Sequence, residues 1–288
     1  MDKKTIAFLK NKFPRLFLWI TKSPFLAWIA SELDRGRYIY CMAIKKPYFG
    51  TVFLAGQTWQ ERKSSMIQLI KEEIKRSGRT YFSVLEIGSW AGDSAVLWAD
   101  TIKSSGCKGM VLCVDPWEPY IRNKECEKTN AATIVMDHAL RKGKVFNLFL
   151  HNIEASNHMD IIYPIKGFSN RILPLLHQAS FDMIYIDGDH SYSGIKSDLA
   201  HSTGILREGG ILCGDDFDIS IHDVDRDFAE KYKEVNAVVD PKTKEVYHPG
   251  VCLAVSEFFG AEPSCYNGFW VMRKAKTQWE EVSLESGI

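Results

Sequence analysis

The chain has 288 residues, 45% hydrophobic and 25% charged, the make-up of a globular protein with length for one substantial core or a domain plus an extension. Basic and acidic side chains balance at 36 each, so the whole molecule offers no field suited to nucleic acid. Seven cysteines, an odd count with no C-x-x-C pair, argue against a disulfide framework or zinc site and for a reducing, cytoplasmic setting.

That balance conceals a polarity along the chain. Residues 1–50 carry ten Lys/Arg against Asp2, Glu32 and Asp34, which leaves +7 there and −7 in the remainder. The same stretch is rich in Leu, Ile, Phe and Trp, but Arg15, Lys22 and Pro24 make it a poor transmembrane span. Ser23-Pro24 reads as an N-cap followed by proline at the first helical position, opening a short helix that ends near Gly36. We expect a helical extension over residues 1–58 that packs on the domain or on a second copy in a homo-oligomer. Peripheral contact with anionic lipid is the lesser alternative.

The remainder, 59–288, reads as one domain in which helices and strands alternate. Residues 60–77 have helical periodicity, with Met66, Leu69, Ile70 and Ile74 on one stripe. A first strand over 82–88 leads to a helix over 93–103, and a second strand over 109–115 to a helical stretch over 127–142. The path from there to residue 159 is not legible. The third strand, 161–167, is followed by a helix through residues 172–176, and the fourth, 181–187, by a helix over 193–206. After a fifth strand at 209–216, a hairpin around Pro241 to Lys244 precedes a helix over 251–258. Asn267-Gly268 then marks a tight turn before a last strand at 269–274. This alternation predicts an α/β fold, a doubly wound, mostly parallel sheet with an antiparallel member late in the chain. Right-handed crossovers put every parallel strand's carboxyl end, and hence the site, on one edge.

Three motifs fall at that edge. Glu86-Ile87-Gly88-Ser89-Trp90-Ala91-Gly92-Asp93-Ser94 joins the first strand to its helix. Gly88 permits a sharp turn, Gly92 a close ligand approach, and Asp93 or Ser94 is placed to cap the helix. Asp115, at the tip of the second strand, suits the two hydroxyls of a ribose. Asp187-Gly188-Asp189-His190 and Asp215-Asp216 follow strands four and five. If those strands are neighbours, Asp187, Asp215 and Asp216 converge and need a shared cation or proton, with Mg2+ or Mn2+ suiting hard oxygen ligands.

With VLEIGSWAGDS, VDPW, IKGFS, FDMIYIDGDHSYSGIKSDL, LREGGILCGDDF and HPGVCLAVSEFFG, the chain resembles class I S-adenosylmethionine-dependent methyltransferases. Within them it is similar to the small-molecule branch of macrolide-sugar O-methyltransferases and cephalosporin hydroxylase-like proteins. The resemblance covers about residues 82–274 and implies a Rossmann-like sheet of seven strands. It implies that Glu86, Gly88, Ser89, Gly92, Asp115, Ser169 and Asp187 bind the cofactor. Gly88 and Gly92 would line its methionine end, Asp115 hold its ribose and Ser169 lie by its adenine. It also implies that Asp187, Asp215 and Asp216 hold Mg2+, for transfer to a small hydroxyl-bearing acceptor such as a sugar.

The spacing from Asp187 to Asp215 also resembles catechol O-methyltransferase, which carries a lysine base three residues after its first metal aspartate. Here that position is His190, competent as a base for a metal-acidified hydroxyl, or alternatively only a helix cap. His222 and His248 are candidate acceptor contacts in a segment expected to overhang the site. A nicotinamide dehydrogenase is disfavoured because the glycines are spaced G-x-x-x-G rather than G-x-G-x-x-G. A metal-independent methyltransferase and a non-catalytic scaffold remain as rivals.

Overall fold

The computed structural model describes residues 24–54, 60–119, 131–276 and 278–284. Residues 1–23 of the basic leader, Arg15 and Lys22 among them, lie outside the described residues. The sheet is built from β1 (Tyr81–Ile87), β2 (Lys108–Asp115), β3 (Ile162–Lys166), β4 (Phe181–Ile186) and β5 (Leu206–Phe217). Between and around them lie α1 (Pro24–Ala43), α2 (Gln60–Ser77), α3 (Asp93–Ser104), α4 (Ala131–Arg141), α5 (Lys144–Ala155) and α6 (Ser169–Ile172). Helix α7 (Tyr192–Ile205) follows β4, and α8 (Arg226–Tyr232) follows β5. A small separate hairpin, β6 (Val238–Val239) with β7 (Val246–Tyr247), leads to α9 (Pro249–Phe259). The chain closes with β8 (Ser264–Tyr266), β9 (Gly268–Lys274) and β10 (Trp279–Glu281).

Strand order is β10-β9-β5-β4-β1-β2-β3, with β8 also paired to β9. Strands β1 to β5 pair in parallel, while β9 runs antiparallel to β5, as the late hairpin signal predicts. The sheet holds eight strands rather than the expected seven, because β8 and β10 share the outer side of β9 at different heights. From β1 the chain winds outward through β2 and β3, then returns to lay β4 on the other side. The crevice above β1 and β4 is therefore the switch point where such folds bind ligands.

Strand periodicity divides the core between the two faces. Val84, Val111, Cys113, Met183, Tyr185, Ile211 and Cys213 pack against Met66, Leu69 and Ile70 of α2, Trp98 of α3 and Phe149 of α5. Their neighbours Leu85, Ile87, Val114, Ile184, Ile186 and Leu212 pack against Ile195 and Leu199 of α7 and Val251 to Val255 of α9. Both faces are covered, so the strands read as continuous apolar runs.

Two local expectations change. Helix α1 does not stop near Gly36 but runs to Ala43. A mid-helix glycine costs only about 1 kcal/mol against alanine, and the following turns gain a packed face of Tyr38, Cys41 and Met42 against Tyr48 and Phe53. Its opposite side leaves Leu33 and Tyr40 exposed. The illegible stretch before residue 159 is α5, which starts after Gly143 in the left-handed region and buries Val145, Leu148, Phe149, Asn152 and Ile153. Among the described residues no helix is long and apolar enough to cross a membrane.

Candidate active site

The glycine loop sits between β1 and α3. Gly88 has φ +85°, and a Cβ there would overlap the backbone carbonyl of Asp187, so the tips of β1 and β4 touch only through glycine. Gly92, also at φ +85°, is itself the N-cap of α3, with no side-chain cap. The expected cap from Asp93 or Ser94 is therefore not formed. Asp93 lies in the first turn and pairs instead with Lys63 of α2 at 2.7 Å.

Asp115 is buried under this loop. Its Oδ2 accepts from Ser89 N at 2.9 Å and Trp90 N at 3.0 Å, and its Oδ1 from Trp117 N at 2.6 Å. The carboxylate thus ties the loop after β1 to the loop after β2, a task additional to the predicted ribose contact. Glu86 is wholly buried beside it. One oxygen accepts from Trp98 Nε1 at 2.7 Å, the other has no partner, and burial pushes the acid up to about 8. Ser89 is buried behind the loop, and Ser169 opens α6 at the tip of β3, half-buried on the same edge.

Because β4 and β5 are adjacent and parallel, with Ile186 opposite Gly214, Asp187, Asp215 and Asp216 do come to one place. They divide into two groups. His190 Nε2 stands 3.4 Å from Asp187 Oδ1 and 3.4 Å from Asp216 Oδ2, while its Nδ1 is fixed by Asn236 Oδ1 at 2.8 Å. Tyr185 donates its hydroxyl to Asp187 Oδ2 at 3.3 Å. Burial opposes charge on His190, but the bond to Asp187 and the field of Asp216 outweigh it and push the ring up to about 10. Asp216 has φ +63°, unusual for a non-glycine residue, at a bulge in the β5–β9 ladder.

The second group forms around Arg62. This α2 side chain pairs with Asp215 at 2.6 Å, with Asp216 at 3.2 Å and with Asp218, and it donates to the carbonyl of Asn267. Burial and the neighbouring carboxylates raise Asp215, against the pull of Arg62. His248 completes the cluster, its Nδ1 3.7 Å from Asp216 Oδ2 and its ring 4.8 Å from that of His190. Its Nδ1 is buried without a hydrogen bond, and burial pushes it down to about 4. His190, Asp216 and His248 offer ligand atoms within 4.8 Å of one another. His222 is exposed and takes no part in the cluster.

The sequence reading passes over Arg62, Lys63, Tyr185 and Asn236. Arg62 and Lys63 occupy the polar side of a helix read only for its apolar stripe, and no local pattern connects Arg62 to acids more than 150 residues away. Asn236 lies in the overhanging segment, where only the histidines carried a chemical signal.

Residues 85–217 match the family model of a methyltransferase domain. The structure of the O-methyltransferase NovP is similar with a TM-score of 0.52 at 14% identity, over 75% of this chain and 80% of that one. At that identity the likeness establishes the fold alone. The O-methyltransferase TomG from Streptomyces achromogenes, solved with S-adenosylmethionine, gives a TM-score of 0.46 at 14% identity, over 75% and 78% of the two chains, and carries no further weight. No curated protein matches the sequence.

Proposed function

We propose that this chain, which carries a methyltransferase domain on the class I methyltransferase fold, transfers the methyl group of S-adenosylmethionine to a hydroxyl of a small acceptor such as a sugar or natural product. One observation carries the choice of oxygen: His190 Nε2 faces Asp187 and Asp216 at the crevice above β1 and β4, beside the glycine loop. Gly88 and Gly92 would hold the cofactor's methionine end, Asp115 its ribose and Ser169 its adenine. An acceptor hydroxyl at the cluster points its oxygen toward the methyl sulfonium. A C–O bond would form as the C–S bond breaks with its electrons left on sulfur, and the hydroxyl proton would pass to His190 Nε2 in the fraction whose ring is neutral, since Asp187 and Asp216 otherwise hold a proton there. Asn236 and the two carboxylates hold the ring in the orientation this requires.

The donor set fits a divalent cation, Mg2+ or Mn2+. Asp187 and Asp216 present carboxylate oxygens, and the unpartnered Nδ1 of His248 points at Asp216, an imidazole being better suited to Mn2+. These residues would hold the ion, while Asp215, the third predicted ligand, is engaged by Arg62. Such an ion acidifies a bound hydroxyl and offsets the negative field that keeps a proton on His190.

Arg62 supports a second reading, in which its fixed guanidinium is the cation of the acid cluster and turnover needs no metal. Assay of the purified enzyme against a panel of sugar and natural-product alcohols, with and without chelator, separates the two. Loss of turnover in chelator, restored by Mg2+ or Mn2+, supports the metal; full activity in chelator overturns it. His190→Ala should lower turnover by roughly 10²- to 10⁴-fold, with the deficit shrinking as pH rises. A pH-independent defect would reduce His190 to a structural part.

A further inference from the structure

Three elements deliver His190, Asp216 and His248 to one point. His190 comes from the loop after β4, Asp216 from the bulge near the end of β5, and His248 is the N-cap of α9, directly after the β6–β7 hairpin. Their ligand atoms all lie within 4.8 Å of one another. His190 Nε2 is 3.4 Å from Asp216 Oδ2, and His248 Nδ1 is 3.7 Å from the same oxygen. Both separations exceed the roughly 2.7–3.2 Å of a good N–H···O bond, so two rings converge on one oxygen without closing on it. His248 Nδ1 is buried and has no hydrogen-bond partner. An unpaired buried nitrogen is costly, and an apolar side chain at this cap would avoid the cost.

The spacing is that of a coordination shell. A tetrahedral ion with bonds of about 2.0–2.1 Å holds neighbouring ligand atoms roughly 3.3 Å apart. The two edges at Asp216 are near that value, and the third closes if the His248 ring moves by about 1.5 Å at most. Asp187 Oδ1 also stands 3.4 Å from His190 Nε2, a spacing that suits a fourth ligand. Asn236 Oδ1 can only accept, so at 2.8 Å it takes the hydrogen of His190 Nδ1 and leaves Nε2 of the neutral ring to offer its lone pair. A metal-bound imidazole carries just such a partner on its other nitrogen.

We propose that His190, Asp216 and His248 form a site for a borderline transition-metal ion such as Zn2+, and that this ion blocks the His190 base. Two imidazoles and one carboxylate suit Zn2+, whereas Mg2+ asks for hard oxygen ligands in an octahedron. The site itself stands independently of the methyl-transfer reading; only the blocking rests on it. A hard ion held on the oxygens of Asp187 and Asp216 leaves His190 Nε2 to receive the acceptor's proton. A borderline ion takes the same lone pair, and Nε2 has only one. The two kinds of ion therefore act in opposite directions on one enzyme.

Titration of the full, tag-free chain with Co2+, which stands in for Zn2+ and absorbs visible light, tests the site without any acceptor. Wild type should bind one Co2+ per chain, Zn2+ should displace it, and a hundredfold excess of Mg2+ should not. His190→Ala and His248→Ala should each weaken binding at least tenfold. Asn236→Ala should weaken it by roughly 10- to 100-fold, as loss of an orienting partner does. Replacing the exposed His222 by Ala should leave it unchanged. If a histidine variant fails to fold, Asn236→Ala and the Mg2+ competition on wild type still decide the matter. No saturable Co2+ binding, equal binding by both histidine variants, or ready displacement by Mg2+ overturns the site. In the acceptor assay, Zn2+ at its binding concentration should stop turnover, and full activity with Zn2+ bound overturns the blocking. A chain that binds Co2+ through both histidines but transfers no methyl group refutes the methyl-transfer reading and the blocking with it, while the metal site stands.

Discussion

Asp115 gathers three backbone N–H groups from two loops, so it shapes the cofactor loop before any ribose arrives. On sequence grounds, replacing it should weaken cofactor binding without unfolding the protein. The geometry changes that expectation. Asp115→Ala leaves buried donors unpaired, at about 1–3 kcal/mol for each that water cannot reach. We expect a melting temperature several degrees lower as well as weaker S-adenosylhomocysteine binding, with Asp115→Asn in between because its amide oxygen still accepts. Thermal melts and calorimetry on both variants check this, and an unchanged melting temperature in Asp115→Ala would sink the loop-holding role. Asp115, Asp187, Asp215 and Asp216 were legible in the sequence because each ends an apolar run at a strand tip, and strand tips share one edge. Arg62 was not, since what makes it part of the site is the packing of α2 across the sheet.

At the scale of elements, α1 and the segment after it form a strap over that same edge. Asp34 accepts from the Tyr48 hydroxyl, from Thr51 N and Oγ1 and from Val52 N, which folds residues 48–54 back on α1. The strap then grips the domain: Tyr48 exchanges backbone bonds with the Asn152 side chain, and Trp90 of the glycine loop donates to Leu54 O. Asn152 also donates to Ala91 O, so strap, loop and α5 share one residue. Asp34→Ala should free the strap while the sheet stays intact. Limited proteolysis should then cut within the first sixty residues at a faster rate, and cofactor affinity should fall several-fold with little change in melting temperature. Unaltered cleavage would deny Asp34 this role. The strap was legible only as a helical extension, because its attachment depends on α5. That helix went unread although Val145, Leu148, Phe149, Asn152 and Ile153 recur at helical spacing, the one polar member among them making the link.

Across the whole molecule, the buried ionisable groups that furnish the site also set how its stability varies with pH. Glu86 is held up at about 8 by burial, from the ordinary 4.5 of its carboxyl, and Asp198 at about 7 from 3.8. Asp215 is raised as well. His190 is raised from 6.5 to about 10, by Asp187 and Asp216 acting against burial. In each case the folded chain keeps a proton that the unfolded chain has released, so stability falls as pH rises between the two values. For the acids that decline begins near pH 4; for His190 it begins near 6.5. His248, pushed down from 6.5 to about 4 by burial, acts in the opposite sense, but only below about 6.5. Above that pH the shifts named here all carry one sign, each worth up to about 1.4 kcal/mol per pH unit. The melting temperature should therefore drop as pH is raised from about 6.5 to 8. Glu86→Gln, which keeps the shape and cannot ionise, should flatten the drop and raise the melting temperature at pH 8. Scanning fluorimetry across that range, in two buffer systems at constant ionic strength, measures both. A melting temperature that holds level or climbs in the wild-type chain would mean that these groups are not held in the protonation states their burial demands.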